Sequence, residues 1–187
     1  MNIKALFLDF YGTLVYEDGE VISRICKKSR KASPYCPETR EIATYWWEKF
    51  FSSCVESYDE NFRLQRDIEM ESLRETLQRF GCNENIEKIS EGLFRYWAKP
   101  PIFEDTLPFL EKIKLPTYIV SNIDRADLIS AVCHHDIKAT SIVTSEDVRS
   151  YKPRSEIFLR ALEQINVRPE EVLHIGDSLS SDIAGAK

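Results

Sequence analysis

The chain has 187 residues, 43% of them hydrophobic, with 31 acidic against 25 basic side chains and a net charge of -6. That length and apolar content suit one well-cored domain, or a core with an inserted lobe. The acidic balance argues against a nucleic-acid partner, which would call for a basic face. No run approaches the roughly 18 apolar residues that span a bilayer.

The first element predicted is a strand over residues 3–9, IKALFLD, a nearly continuous apolar run ending in an acid. Strands buried on both faces read this way and belong to parallel sheets. The run meets its acid too early, and lacks the small-residue cleavage site, for a secretory leader. Residues 16–104 then carry helical patterns. Residues 40–58 are rich in aromatics, with Tyr45, Trp46, Trp47, Phe50, Phe51 and Tyr58. Leu64, Ile68, Leu73, Leu77 and Phe80 form a helical stripe, and Ile86, Ile89, Leu93, Phe94 and Trp97 another. These aromatic stripes read as the core of a helical lobe in preference to the alternative of a ligand box. Arg24, Lys27, Lys28, Arg30 and Lys31 form a basic run, read either as a solvated face or as a region that steers an anionic substrate. Pro100-Pro101 marks the return from the lobe.

A helix is predicted over 105–114 and a strand over 117–121 (TYIVS). A second strand follows at 141–144 (SIVT), then a helix over 154–166 and a last strand over 172–176 (VLHIG). Alternation of strand and helix predicts an α/β doubly wound, Rossmann-like parallel sheet with an inserted helical cap. The core is expected to be one discontinuous domain, residues 1–15 and 105–187, with residues 16–104 as the cap. The five cysteines are odd in number and include no C-x-x-C, so reduced thiols and a cytoplasmic setting are expected. The adjacent His134 and His135 would point apart on a helix and lack partners at metal-ligand spacing.

In open parallel sheets, ligands bind at the carboxyl ends of the strands. Here those ends carry Asp9, then Ser121 and Asn122, then Lys152 after the third strand, then Asp177, Ser178 and Asp182. Singly, each has a plain alternative as a turn acid, a helix cap or a surface lysine. Together at one edge they suit phosphoryl chemistry. Asp9 can attack phosphorus and divide hydrolysis into two steps. Magnesium, which prefers hard oxygen ligands, would offset the repulsion, with Asp9 and Asp177 as its carboxylates. Lys152 would neutralise the transferring group. Ser121 and backbone N–H groups near Tyr11, Gly12 and Asn122 would hold its oxygens.

FLDFYGTLV, IVSN, SYKP and HIGDSLSSDIAGA, in this order and spacing, resemble the four motifs of the haloacid dehalogenase-like hydrolase superfamily. The resemblance covers residues 1–15 and about 105–187. It implies Asp9 as nucleophile, and Ser121 and Lys152 as phosphoryl binders. Asp177 and the Tyr11 carbonyl would join Asp9 at magnesium, and Asp182 would support the metal directly or through water. Thr13 and Asn122 match positions that orient the nucleophile and substrate oxygens. The function implied is a magnesium-dependent phosphatase of small phosphorylated metabolites working through an aspartyl-phosphate, with no nucleic-acid or membrane partner and an open oligomeric state.

Two departures keep alternatives in play. Phosphatase members carry an aspartate at the position of Tyr11, where it acts as acid and base, a contribution of roughly 10²–10⁴-fold. D-x-Y-G-T is the pattern of the 2-haloacid dehalogenase members, whose halide leaving group needs no proton. Those members work without magnesium, however, and use a cap arginine. The matching helix ATYWWEKFF has none, and Arg24, Arg30 and Arg40 lie upstream of it. A weakly active or non-catalytic binding protein on the same fold is the third reading. The family usually continues beyond the fourth motif with another strand and helix. The fourth strand here is therefore expected to be an exposed edge, with lower stability or pairing to another chain.

Overall fold

The computed structural model describes residues 2–187, so Met1 of the expected core segment lies outside the description. Four parallel strands, β1 (Ala5–Leu8), β2 (Thr117–Ser121), β3 (Ser141–Thr144) and β4 (Val172–Ile175), form one sheet in the order β3-β2-β1-β4. The chain builds outward from β1 to β2 and β3, then crosses back to place β4 on the other side of β1. That reversal opens a crevice at the carboxyl end of β1. The helices are α1 (Gly19–Ala32), α2 (Thr39–Glu56), α3 (Gln65–Arg79), α4 (Ile86–Ala98), α5 (Thr106–Lys112), α6 (Arg125–His134), α7 (Ser145–Val148) and α8 (Glu156–Ile165). Among the described residues, no helix is long and apolar enough to cross a membrane.

The chain divides into two compact units, Met1–Glu17 with Ala98–Lys187, and Asp18–Trp97. The division falls beyond residue 15 and before residue 104 because the two connecting segments pair within the first unit. Val15 bridges Ile102, Tyr16 N–H donates to the Pro101 carbonyl at 2.9 Å, and Thr106 Oγ1 donates to the Leu14 carbonyl at 2.7 Å.

In the first unit β1 and β2 are buried along their whole length, as apolar runs without alternation require. Ala5, Phe7, Tyr118, Val120 and Val143 on one sheet face pack against Ile157, Phe158 and Ala161 of α8. Each large side chain so buried stabilises by roughly 1.5–3 kcal/mol. The strand β4 forms one edge of the described sheet and β3 the other. The burial of β4 alternates, with Leu173 49% and Ile175 37% exposed while Val172 and His174 turn toward α8.

The second unit is the helical lobe α1 to α4. Ile42, Trp46, Ile68, Leu73, Leu77, Leu93 and Trp97 are buried in it. The expectation that the aromatic stripe is all core fails at Trp47, which is 61% exposed and stacks on Phe51 at 5.8 Å. Neighbouring helix positions point about 100° apart, so Trp46 and Trp47 cannot share one face. The helix α2 begins at Thr39, which puts Arg40 in its first turn rather than upstream of it. In the basic run, Lys28 pairs with Glu84 at 2.6 Å and Arg30 with Glu38 at 3.7 Å.

Glu69 lies on the buried face of α3, 4% exposed, and its Oε1 has no hydrogen-bond partner. Burial, then the nearby Asp18 carboxylate, push its pKa up to about 8, and Trp46 pulls only weakly the other way. A folded state that holds this proton more tightly than the unfolded chain loses stability as pH rises from about 4.5 to about 8. Glu69→Gln, which mimics the protonated acid, should therefore raise stability at pH 8 by about 1–3 kcal/mol and flatten the decline between pH 5 and 8. Thermal melts at the two pH values check this; an unchanged pH slope would remove Glu69 as its source.

Candidate active site

The chain leaves β1 at Leu8 and turns sharply. The Phe10 carbonyl accepts from Leu14 N–H at 2.8 Å and Val15 N–H at 3.0 Å, while Gly12 N–H donates to the Val15 carbonyl at 2.8 Å. The turn holds Asp9 at the strand end, 6% exposed, with its backbone N–H donating to the Ile175 carbonyl at 2.9 Å. Gly12 has φ +82°, a conformation that side-chain-bearing residues rarely adopt. A Cβ there would also meet the Asp177 carboxylate, with Cγ at 2.6 Å. The Gly12 N–H is thus committed inside the turn, whereas the sequence reading placed an amide near it on the phosphate.

Lys152 comes from the loop between α7 and α8 and is 4% exposed. Its Nζ donates to Asp9 Oδ1 at 2.7 Å, Asp182 Oδ1 at 2.6 Å and the Val120 carbonyl at 3.0 Å. All three of its hydrogens are used. The Asn122 side chain closes a two-way clamp on the Lys152 backbone. Asn122 Nδ2 donates to the Lys152 carbonyl at 3.1 Å and Oδ1 accepts from Lys152 N–H at 2.7 Å. The Asn122 amide therefore positions the lysine loop. Ser121, the last residue of β2, is 2% exposed. Thr13 Oγ1 is buried without a hydrogen-bond partner. Tyr11 is half-buried, its ring edge-on to Phe10 at 5.1 Å.

Gly176, the exposed Asp177 and Ser178 lead from β4 into a single wide turn of π-helix, Leu179–Ile183, that carries Asp182. Asp182 is 1% exposed. Its Oδ1 accepts from both Lys152 and His174 Nε2, the latter at 2.9 Å, and its Oδ2 accepts from Ser178 N–H at 3.1 Å. A Cβ at Gly176 would collide with the Asp182 carboxyl group, so glycine lets the acid reach inward. Burial alone would raise the Asp182 pKa, but the His174 hydrogen bond and the Lys152 charge hold it down at about 2. For Asp9, burial and the like charge of Asp182 outweigh the pull of Lys152 and push the pKa up. Burial would lower the Lys152 pKa, and the two carboxylates more than reverse it.

Asp9, Asp177 and Asp182 offer carboxylate oxygens all within 4.8 Å of one another. A set of hard oxygens without His or Cys suits magnesium rather than zinc. The cradle left by Gly12, which Asp177 occupies, fits that use. Asp182 spends three of its lone pairs on Lys152, His174 and Ser178, leaving one on Oδ2 for a cation or its water. The Tyr11 carbonyl, the fourth metal position expected, belongs to the same turn. Sequence reasoning missed His174, which it took only as part of an apolar strand. The available signal was a polar residue at an inward-alternating position of β4.

The comparisons with known proteins agree on kind. A family described as haloacid dehalogenase-like hydrolase matches residues 3–187. A protein of Pyrococcus furiosus named glyceraldehyde 3-phosphate phosphatase is 56% identical, over 100% of this chain and 77% of its own length. One of the same name from Methanopyrus kandleri is 39% identical over 98% of this chain and 79% of its own. Among solved structures, the L-2-haloacid dehalogenase of Xanthobacter autotrophicus superposes with a TM-score of 0.75 at 21% identity, over 98% of this chain and 73% of that one. A HAD-hydrolase of Bacillus subtilis, solved bound to magnesium, also gives 0.75, at 17% identity, over 100% of this chain and 85% of that one. At such identities these two similarities speak for the fold.

The close approach at Gly12 can be tested directly. Gly12→Ala forces a left-handed backbone on a Cβ-bearing residue, costing about 1–2 kcal/mol, and displaces the Asp177 carboxylate. Magnesium binding followed by calorimetry should weaken at least tenfold. Affinity equal to the parent's would show that Asp177 does not depend on the glycine.

Proposed function

Because the chain belongs to the haloacid dehalogenase-like hydrolase family, we propose that it is a magnesium-dependent phosphatase of small phosphorylated metabolites, with glyceraldehyde 3-phosphate as the first substrate to test. The observation that carries the chemistry is the gathering of Asp9, Asp177 and Asp182 within 4.8 Å beside the buried Lys152. The substrate follows from the relatives at 56% and 39% identity that bear that name.

Asp9, Asp177, Asp182 and the Tyr11 carbonyl would hold the magnesium, which when bound offsets the charge between nucleophile and phosphate. The Asp9 carboxylate attacks phosphorus, the bond to the substrate oxygen breaks, and an aspartyl-phosphate forms on Asp9. Lys152 exchanges one of its present partners for a phosphoryl oxygen and neutralises charge as the transfer proceeds. The Ser121 hydroxyl and the Asn122 backbone N–H take further oxygens. Water then attacks the phosphorus and frees Asp9. The leaving oxygen of a triose phosphate is an alkoxide that needs a proton. Tyr11, with a reference pKa near 10, can donate one only as a weak acid, and the tyrosinate left behind would take back the proton released when water attacks.

The tests are hydrolysis of glyceraldehyde 3-phosphate and of an aryl phosphate, with magnesium and with EDTA. Asp9→Asn should lose at least a thousandfold in turnover; an undiminished rate would sink the nucleophile. Tyr11→Asp should raise turnover of the alkyl ester about tenfold or more, and that of the aryl ester, whose leaving group is already acidic, much less. Tyr11 itself favours a second reading, a 2-haloacid dehalogenase. Halide release from a chloro-acid in EDTA would favour it over phosphate hydrolysis.

A further inference from the structure

His174 sits on β4 opposite Phe7 of β1. Side chains alternate along a strand, so Phe7 and Asp9 share a sheet face, and the register puts His174 on that face beside them. Its side chain is 6% exposed. The Phe158 ring of α8 meets the imidazole edge-on at 5.1 Å and 86°, which fixes the plane of the ring. In that plane Nε2 lies 2.9 Å from Asp182 Oδ1, the oxygen that also accepts from Lys152 Nζ at 2.6 Å.

The other ring nitrogen, Nδ1, is buried without a partner. A buried unsatisfied polar atom costs about 1–3 kcal/mol. A leucine or isoleucine would pack against Phe158 with no such cost, so packing does not account for a histidine here. The orphaned lone pair on Nδ1 is the consequence of a proton carried on Nε2, where it meets Asp182. A proton on Nδ1 would leave a donor orphaned and set two lone pairs against each other.

We infer that His174 is a positioning residue whose Nε2–H pins Asp182 Oδ1 and thereby aims the Lys152 ammonium at Asp9. Without that bond Asp182 keeps only Lys152 and, on its other oxygen, Ser178 N–H. The carboxylate can then turn about its own axis, and the lysine loses the fixed acceptor that balances Asp9. Groups that orient a reacting set from behind typically matter 10–100-fold. The inference rests on the proposed role of Asp9 as nucleophile and Lys152 as its charge partner.

The test compares His174→Leu, which removes the donor, with His174→Gln, whose amide places an N–H near the position of Nε2. Aryl phosphate turnover with magnesium is measured well below the melting temperature of each variant. His174→Leu should lower kcat 10–100-fold with KM within about threefold, and His174→Gln should recover most of the loss. A kcat for His174→Leu within twofold of the parent, or a His174→Gln variant as slow as His174→Leu, overturns the inference. Long-range ¹H–¹⁵N spectra, which need no turnover, should show the proton on Nε2 and a shift of that nitrogen in Asp182→Asn. A proton on Nδ1 overturns it as well. Full activity in Asp9→Asn would instead sink the proposed function, and the nitrogen spectra would then decide the His174 inference by themselves.

Discussion

The site depends on one buried cation. Lys152 Nζ lies 2.7 Å from Asp9 and 2.6 Å from Asp182, with all three residues nearly removed from water. Taking such charges out of water costs several kcal/mol per ion, which mutual attraction offsets only where geometry and further hydrogen bonds are good. The surrounding structure supplies both. The Val120 carbonyl fills the third donor of the lysine, Asn122 clamps its backbone at both ends, and Ser178 N–H and His174 complete Asp182. Three strands and the loop before α8 must therefore end in register for the charges to be tolerable. Glycine at 12 and 176 then follows, because a Cβ at either place would occupy the space that Asp177 or Asp182 needs.

The two units handle buried acids in opposite ways. In the sheet unit Asp182 is deeply buried and yet held ionised, because the hydrogen bond from His174 and the charge of Lys152 outweigh burial. In the helical unit Glu69 is equally buried, but among the described residues the charged group acting on it is Asp18, another acid. Burial then wins, and the neutral form is favoured up to about pH 8. The same desolvation cost yields an anchored charge in one place and a protonated acid in the other. The difference is the hydrogen bond from His174 at 2.9 Å together with a lysine ammonium at 2.6 Å.

Much of this was legible in the chain. Short apolar runs without alternation suit strands buried on both faces, and their alternation with helical stretches declared the α/β fold. The polar residues just past each run declared at which edge of the sheet the acids and the lysine gather. Legibility ended where contacts run through space between segments distant in sequence. The Asn122 clamp spans 30 positions and the Lys152–Asp9 bond 143. Neither leaves a local pattern. His174 was hidden for another reason. A single histidine in VLHIG disturbs an apolar run too little to distinguish a packed ring from a working donor. Trp47 escaped because richness in aromatics says nothing about direction; only the angle between adjacent helix positions separates it from Trp46.

Tyr11 and the acid cluster point to different chemistry, and the charge of the site bears on the choice between them. Counted at formal charge, three carboxylates beside one ammonium leave the site at -2 before any substrate enters. A phosphate ester or a haloacid carboxylate, both anions, meets the same repulsive field, which partial burial strengthens. Either substrate therefore calls for a cation at the three carboxylates. That requirement is natural for phosphoryl transfer, in which negative charge is carried on three oxygens of the moving group. It is foreign to a metal-free displacement of halide, which gains nothing from two further carboxylates beside its nucleophile. Tyr11 removes an acid without removing the field. On the proposed reading its effect falls on proton transfer to the leaving oxygen, while the acids around Asp9 favour phosphorus as the atom attacked.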